Sequence, residues 1–173
     1  MQYVLFRNMY DLDFKEEGFI KLHIRKFLLF PEFWNDSSNR LPSNLRWAKL
    51  RFLKSNASKI PLRTGIYCFV VVPNYPNLVE TRYLFYCGMT TRTLRTRFND
   101  YINEQAGKPK KTRKKIYQML NLYKDNIFFY YASIPSKRTL TSCEAKILNT
   151  FVPQVNTDIP RARIKPELKY IYE

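Results

Sequence analysis

Two runs of β-branched and aromatic residues constrain this chain more than any other feature: TGIYCFVVV at 64–72 and RYLFYCG at 82–88. Each has a strand's length and composition. Between them PNYPNLVET (73–81) carries two prolines and two asparagines, the residues of loops. Strand, loop, strand at this spacing predicts an antiparallel hairpin with a long tip. Helical periodicity takes over in TTRTLRTRFNDYINEQ (90–105), where Leu94, Phe98, Tyr101 and Ile102 fall at i, i+4, i+7 and i+8. A second helix is expected around KIYQMLNLY, a third strand at NIFFYYASI (126–134), and a further helix at LTSCEAKILNTF (140–151), stopped by Pro153. The expected fold class is α/β in the α+β sense: a small, mostly antiparallel three-stranded sheet flanked by helices.

The first sixty residues read differently. FIKLHIRKFLLF fits a strand or a short helix, and NDSSNRLPSN (35–44) is turn-rich. LRWAKLRFLKSN then reads as a short basic helix, with Leu45, Leu50 and Leu53 roughly on one side. The expected organisation is an N-terminal extension (1–60), a main domain (61–160) and a basic tail (161–173).

The net charge is +16 and the pI about 9.9. The excess lies mainly in the second part, with 19 basic against 8 acidic residues in 61–173 and 11 against 6 in 1–60. Such an excess favours a polyanionic partner, nucleic acid before an acidic membrane surface. No apolar run approaches the ~20 residues that span a bilayer, and the N-terminus lacks the pattern of a signal peptide. An intracellular protein is expected, cytoplasmic in a prokaryotic or viral setting. The three cysteines, Cys68, Cys87 and Cys143, are then reduced buried thiols. No CxxC-type spacing supports zinc, and the single histidine, His23, argues against chemistries that need a histidine base.

Several residues sit oddly in this pattern. Arg97 lies on the inner edge of the stripe formed by Leu94 and Tyr101, where a charge needs either a partner or a route to water. Arg92 and Arg95 point outward and read as a basic face. Thr141 and Glu144 spell a capping box, T-x-x-E. Yet Glu144 also lies at the margin of the packing face Cys143, Ile147, Leu148, Phe151. KPKKTRKK (108–115) reads either as a solvated loop or as an arm for phosphate backbones.

Gly65-Ile66-Tyr67, then Tyr86-Cys87-Gly88, then Arg97 and Tyr101 one helical turn apart, then Glu144, then Asn156 twelve residues on, resemble the GIY-YIG nuclease family in order and in element type. The likeness covers residues 64–156. Cys87 stands where the second triplet usually has isoleucine. The linker 68–85 is longer than in compact members, and its only basic residue is Arg82. The resemblance implies a metal-dependent endonuclease. Glu144 would hold one divalent ion, Mg²⁺ or Mn²⁺, since a hard oxygen ligand suits such ions. Arg97 would pair with the scissile phosphate. Tyr67 or Tyr86 would take the proton of the attacking water, Tyr67 being preferred, with its pKa lowered from the usual value near 10 by nearby positive charge. Tyr86 and Tyr101 would bond water or phosphate, and Asn156 would orient the surroundings of Glu144. Lys108, Lys110, Lys111, Arg113, Lys114 and Lys115, with Arg92 and Arg95, are the candidate nucleic-acid contacts.

The expected substrate is nucleic acid, double-stranded DNA first, and the expected role is a compact restriction- or defence-type enzyme. The first sixty residues are assigned to target recognition or a homodimer contact. Three rival readings compete with this one. Asp125 with Glu144-Ala145-Lys146 imitates a D…ExK nuclease pattern, but there the ExK lies on a strand. A non-catalytic nucleic-acid-binding module would use the same scaffold. A membrane-surface protein would need an amphipathic helix that is absent from the pattern. RNA-cutting and structure-specific repair nucleases remain alternatives within the enzyme reading.

Overall fold

The computed structural model describes residues 22–73, 75, 81–108 and 113–157. Its elements run in the order α1 (Pro31–Asn35), β1 (Ala48–Arg51), β2 (Gly65–Val71), β3 (Tyr83–Thr90), α2 (Leu94–Gln105), α3 (Lys114–Leu122), β4 (Ile127–Ser133) and α4 (Lys137–Phe151). The strands form one antiparallel sheet in the order β1-β4-β2-β3.

The expected hairpin is β2–β3, with Tyr67 opposite Gly88 and Cys68 opposite Cys87. Strand β2 is central and covered on both faces, which explains its unbroken apolar run. Tyr67, Phe69 and Val71 point into a core shared with α2 and α3 through Phe98, Tyr101, Met119 and Leu120. Ile66 and Cys68 point into a second core under α4, with Leu140, Cys143, Ile147 and Leu148. All three cysteines are buried free thiols. The two-residue period of the strand thus distributes its side chains between two helical layers.

Close packing explains both triplet glycines. A Cβ on Gly65 would stand 2.4 Å from the Ala132 carbonyl oxygen and 2.7 Å from Leu94 Cδ1. One on Gly88 would stand 2.6 Å from the Tyr67 hydroxyl.

Two expectations need correction. Among the described residues the sheet has four strands, not three. The fourth, β1, lies in LRWAKLRFLKSN, which reads as a helix by leucine spacing. Ala48–Arg51 instead pairs with Phe128–Tyr131 of β4, and a 3₁₀ helix follows at Lys54–Lys59. The local helical pattern loses to a neighbour that offers an edge of backbone groups. As a result, the sheet reaches into the segment read as an extension. Phe52 is 1% exposed and meets Phe69 and Phe98 edge-on at 5.1 and 4.9 Å. The second correction concerns α4, which starts at Lys137 with Ser136 as its cap, accepting from the Thr139 amide. Thr141 sits a turn inside and bonds the Lys137 carbonyl, so Glu144 is not part of a capping box. Phe151, placed on the packing face by spacing, is 48% exposed.

Truncating Phe52 to alanine should lower unfolding free energy by about 3–5 kcal/mol in chemical denaturation. A loss below about 1 kcal/mol would show that residues 45–60 do not share the core.

Candidate active site

Strand β3 is an edge strand, and its outer backbone groups find partners on the segment from α4 onward. The Met89 amide donates to Glu144 Oε1 at 2.9 Å. The Cys87 amide donates to Asn156 Oδ1 at 2.9 Å, and Asn156 Nδ2 donates back to the Cys87 carbonyl at 2.7 Å. The Val155 amide donates to the Phe85 carbonyl at 3.1 Å. Asn156 can reach β3 because α4 ends in Val152 at φ 44°, a left-handed conformation that turns the chain back. A buried β-branched residue there is strained, which argues that surrounding contacts impose the turn.

Tyr86, Glu144 and Asn156 line one open cleft of about 470 Å³. Arg113, Lys114 and Lys115 line the same cleft. Lys114 and Lys115 open helix α3, whose first turn has no acidic residue and no side-chain cap. Cations at a helix N-terminus are unfavourable alone and are relieved by a bound anion.

Behind Tyr86 lies a buried cluster of phenols. Tyr67 and Tyr101 are fully buried, and their hydroxyls are 3.0 Å apart. The Tyr86 ring meets the Tyr101 ring edge-on, with centroids 6.2 Å apart. Arg97 Nε donates to the Tyr67 hydroxyl at 2.9 Å. Arg113 Nη1 donates to the Tyr101 hydroxyl at 3.3 Å. The two guanidinium carbons lie 4.9 and 4.7 Å from the centre of the Tyr101 ring. Arg97 therefore has a partner inside the fold. Burial pushes the Tyr67 hydroxyl well above its ordinary range, Tyr101 and Tyr86 add to this, and Arg97 opposes it. Tyr86 is raised for the same leading reason. The direction is opposite to the lowered pKa expected for Tyr67, because desolvation of a phenolate outweighs one adjacent cation.

The other candidate residues separate by position. Arg95 donates to the Ile60 and Ser58 carbonyls at 2.8 and 2.7 Å, fastening α2 to the 3₁₀ helix. Arg92 pairs with Asp100, which also lies 3.7 Å from Arg97 Nη1. Lys108 is exposed, while Lys110 and Lys111 lie outside the described residues, as does the basic tail. Arg113 is not a loose arm residue, because it forms an ion pair with Glu104, which is 1% exposed. Glu104 went unnoticed in the sequence. Its signal was available, an acid three residues after Tyr101 on the stripe Leu94, Phe98, Tyr101.

Among the described residues, no three His, Cys, Asp or Glu side chains gather as a metal cage. One carboxylate beside a polar cleft suits a hard divalent ion that keeps several waters and takes further oxygens from phosphate.

Burial of the phenols makes stability sensitive to alkaline pH. Tyr67 is neutral in the fold and its native pKa exceeds the unfolded value near 10, so its contribution is complete below pH 10 and is lost above it. Thermal melts should fall steeply above about pH 10, and Tyr67→Phe should flatten the fall. Parallel curves for the two proteins would show that this phenol does not titrate with unfolding.

Residues 75–157 match the family model of the GIY-YIG catalytic domain. The match begins after Tyr67 and includes Tyr86, Arg97, Tyr101, Glu144 and Asn156. Comparison with curated proteins and with solved structures gave no match. Such a domain points to hydrolysis of nucleic acid by a nuclease, generally with a divalent metal. Among the described residues no helix is long and apolar enough to cross a membrane. Residues 75–157 thus carry the likeness to a GIY-YIG catalytic domain, and the antiparallel sheet flanked by helices is consistent with that fold.

Proposed function

We propose that this chain is an endonuclease that hydrolyses phosphodiester bonds in double-stranded DNA, in the manner of a compact restriction- or defence-type enzyme. One observation carries the reading: the cleft sets a carboxylate, a phenol and a carboxamide beside three cationic side chains. Phosphodiester hydrolysis needs those functions together, namely a proton acceptor for water, positive charge at the phosphate and an anchor for a cation.

Glu144 is the residue to hold the divalent ion, Mg²⁺ or Mn²⁺. Bound there, the ion would neutralise phosphate charge and supply an acidified water. The Met89 amide fixes one oxygen of Glu144, so the carboxylate enters the cleft in a set orientation. Asn156 holds the Cys87 peptide from both sides and thereby fixes the backbone that carries Tyr86.

Tyr86 is the tyrosine on the cleft wall, and we assign it the contact with the attacking water. Tyr67, preferred from the resemblance, is fully buried behind it. Its part is to accept from Arg97 and bond Tyr101, holding the phenol cluster in one arrangement. Arg97 acts through Tyr67 in the resting protein. Lys114 and Lys115 contribute charge at the α3 N-terminus, where a phosphate would be favoured. Target recognition or a dimer contact is assigned to the N-terminal residues, of which 1–21 lie outside the described structure.

Supercoiled plasmid with Mg²⁺ or Mn²⁺ tests the reading. Wild type should cut only with the ion. Glu144→Gln, which retains an acceptor for the Met89 amide, should abolish cutting without a large change in melting temperature. Tyr86→Phe should slow cutting by about 10²–10⁴-fold, the usual contribution of a proton acceptor, and Tyr67→Phe by less. The reverse ranking would return the base to Tyr67. Cutting by Glu144→Gln at the wild-type rate would remove the site. Cleavage of RNA alone, or of branched DNA alone, would replace the substrate class, and discrete plasmid fragments would support a restriction-type role.

A further inference from the structure

We infer that Arg113, held by the buried Glu104 and by Tyr101, is the guanidinium that grips the phosphate in this cleft, with Glu104 as its positioning residue. The inference rests on the nuclease reading and assigns roles to two residues of that site.

Arg113 belongs by sequence to KPKKTRKK, where every cation looks alike. The fold singles it out. Nε donates to Glu104 Oε1 at 3.2 Å, Nη2 pairs with Oε2, and Nη1 donates to the Tyr101 hydroxyl at 3.3 Å. The guanidinium also lies over the Tyr101 ring. A side chain that serves only as a solvated arm would not be fixed at four points. Nor would a carboxylate be buried at 1% exposure unless its partner were fixed in return.

Donor arithmetic gives the pair its direction. A guanidinium has five N–H groups in a planar fork. Glu104 takes the side formed by Nε and Nη2, and Tyr101 takes one hydrogen of Nη1. One hydrogen remains on each of Nη1 and Nη2. These two are left to meet the oxygens of one phosphate across the end of the fork. Arg113 lines the cleft with Tyr86, Glu144 and Asn156. Arg97 does not line it, and its Nε is engaged by Tyr67. Among the arginines of the site, the one presented to a substrate in this structure is Arg113.

The arrangement also joins binding to the phenols. Arg113 touches Tyr101, and Tyr101 touches Tyr67. A phosphate drawn to the end of the fork would shift the guanidinium against the ring that holds the cluster.

The test compares wild type, Arg113→Lys, Glu104→Gln and Lys114→Gln/Lys115→Gln. Lysine retains the charge of Arg113 and removes the fork. Arg113→Lys should lower kcat by about 10²-fold or more, the scale for a lost donor to transition-state charge, with KM changed by less than about threefold. Glu104→Gln should lower kcat in the same sense, while the lysine double variant should raise KM and flatten the salt dependence of binding. Arg113→Lys behaving like the lysine double variant would overturn the assignment. So would Glu104→Gln with wild-type kcat.

A second measurement is independent of cutting. In the ¹⁵N spectrum of wild type, an arginine Nε–H signal lost in Arg113→Lys should be sharp and slow to exchange. It should move when a short DNA duplex is added without metal, and it should broaden in Glu104→Gln. If wild type binds duplex but cuts nothing, the nuclease reading falls and this signal alone decides Arg113. A signal that ignores the duplex would overturn the assignment there as well.

Discussion

An edge strand with unmet backbone groups organises this molecule. Among the described residues β3 pairs with one strand, β2, and an open row of amides and carbonyls on its other side would be a template for pairing with foreign strands. The chain closes that row with its own later residues. Glu144 takes the Met89 amide, Asn156 takes both groups of Cys87, and Val155 reaches Phe85. The same contacts bring the carboxylate and the carboxamide beside Tyr86. Protection of the edge and assembly of the site are one set of hydrogen bonds, and the left-handed turn at Val152 makes the set reachable.

The phenol cluster behind that edge is held between two opposing effects. Burial favours neutral hydroxyls, while Arg97 and Arg113 favour a phenolate. In the polypeptide alone burial dominates. A cluster in that balance responds to added positive charge more than an exposed tyrosine would, because the water-poor surroundings screen it less. Placing Tyr86 at the cleft wall and Tyr67 and Tyr101 inside puts the responsive group next to solvent and its support in the core.

Much of this was legible in the sequence. The hairpin, α2, the third predicted strand and the order of the site residues follow from strong local signals with no competing reading. Two things were not. β1 has leucines at helical spacing, and only the exposed flank of β4 decides that Ala48–Arg51 extends. Glu144 has a Thr three residues before it, so a capping role fits the letters; the cap is Ser136, and its choice depends on where α4 meets the sheet. The Arg113–Glu104 pair was hidden for a related reason. Composition showed a basic run, and a run gives no hint that one member turns inward. Depth of burial separated Tyr67 from Tyr86, and no spacing rule carries that information.

The double duty of Glu144 and Asn156 bears on how descent should be read in chains of this kind. A lineage that ceased to cut nucleic acid would still need both residues to keep the β3 border covered. Their retention is therefore weak testimony to catalysis. The Tyr86 hydroxyl touches the cleft without closing any backbone border, so relaxed selection would erode it first, whereas Arg113 also answers the buried Glu104. Among descendants, the Tyr86 phenol is the letter that separates working copies from silent ones.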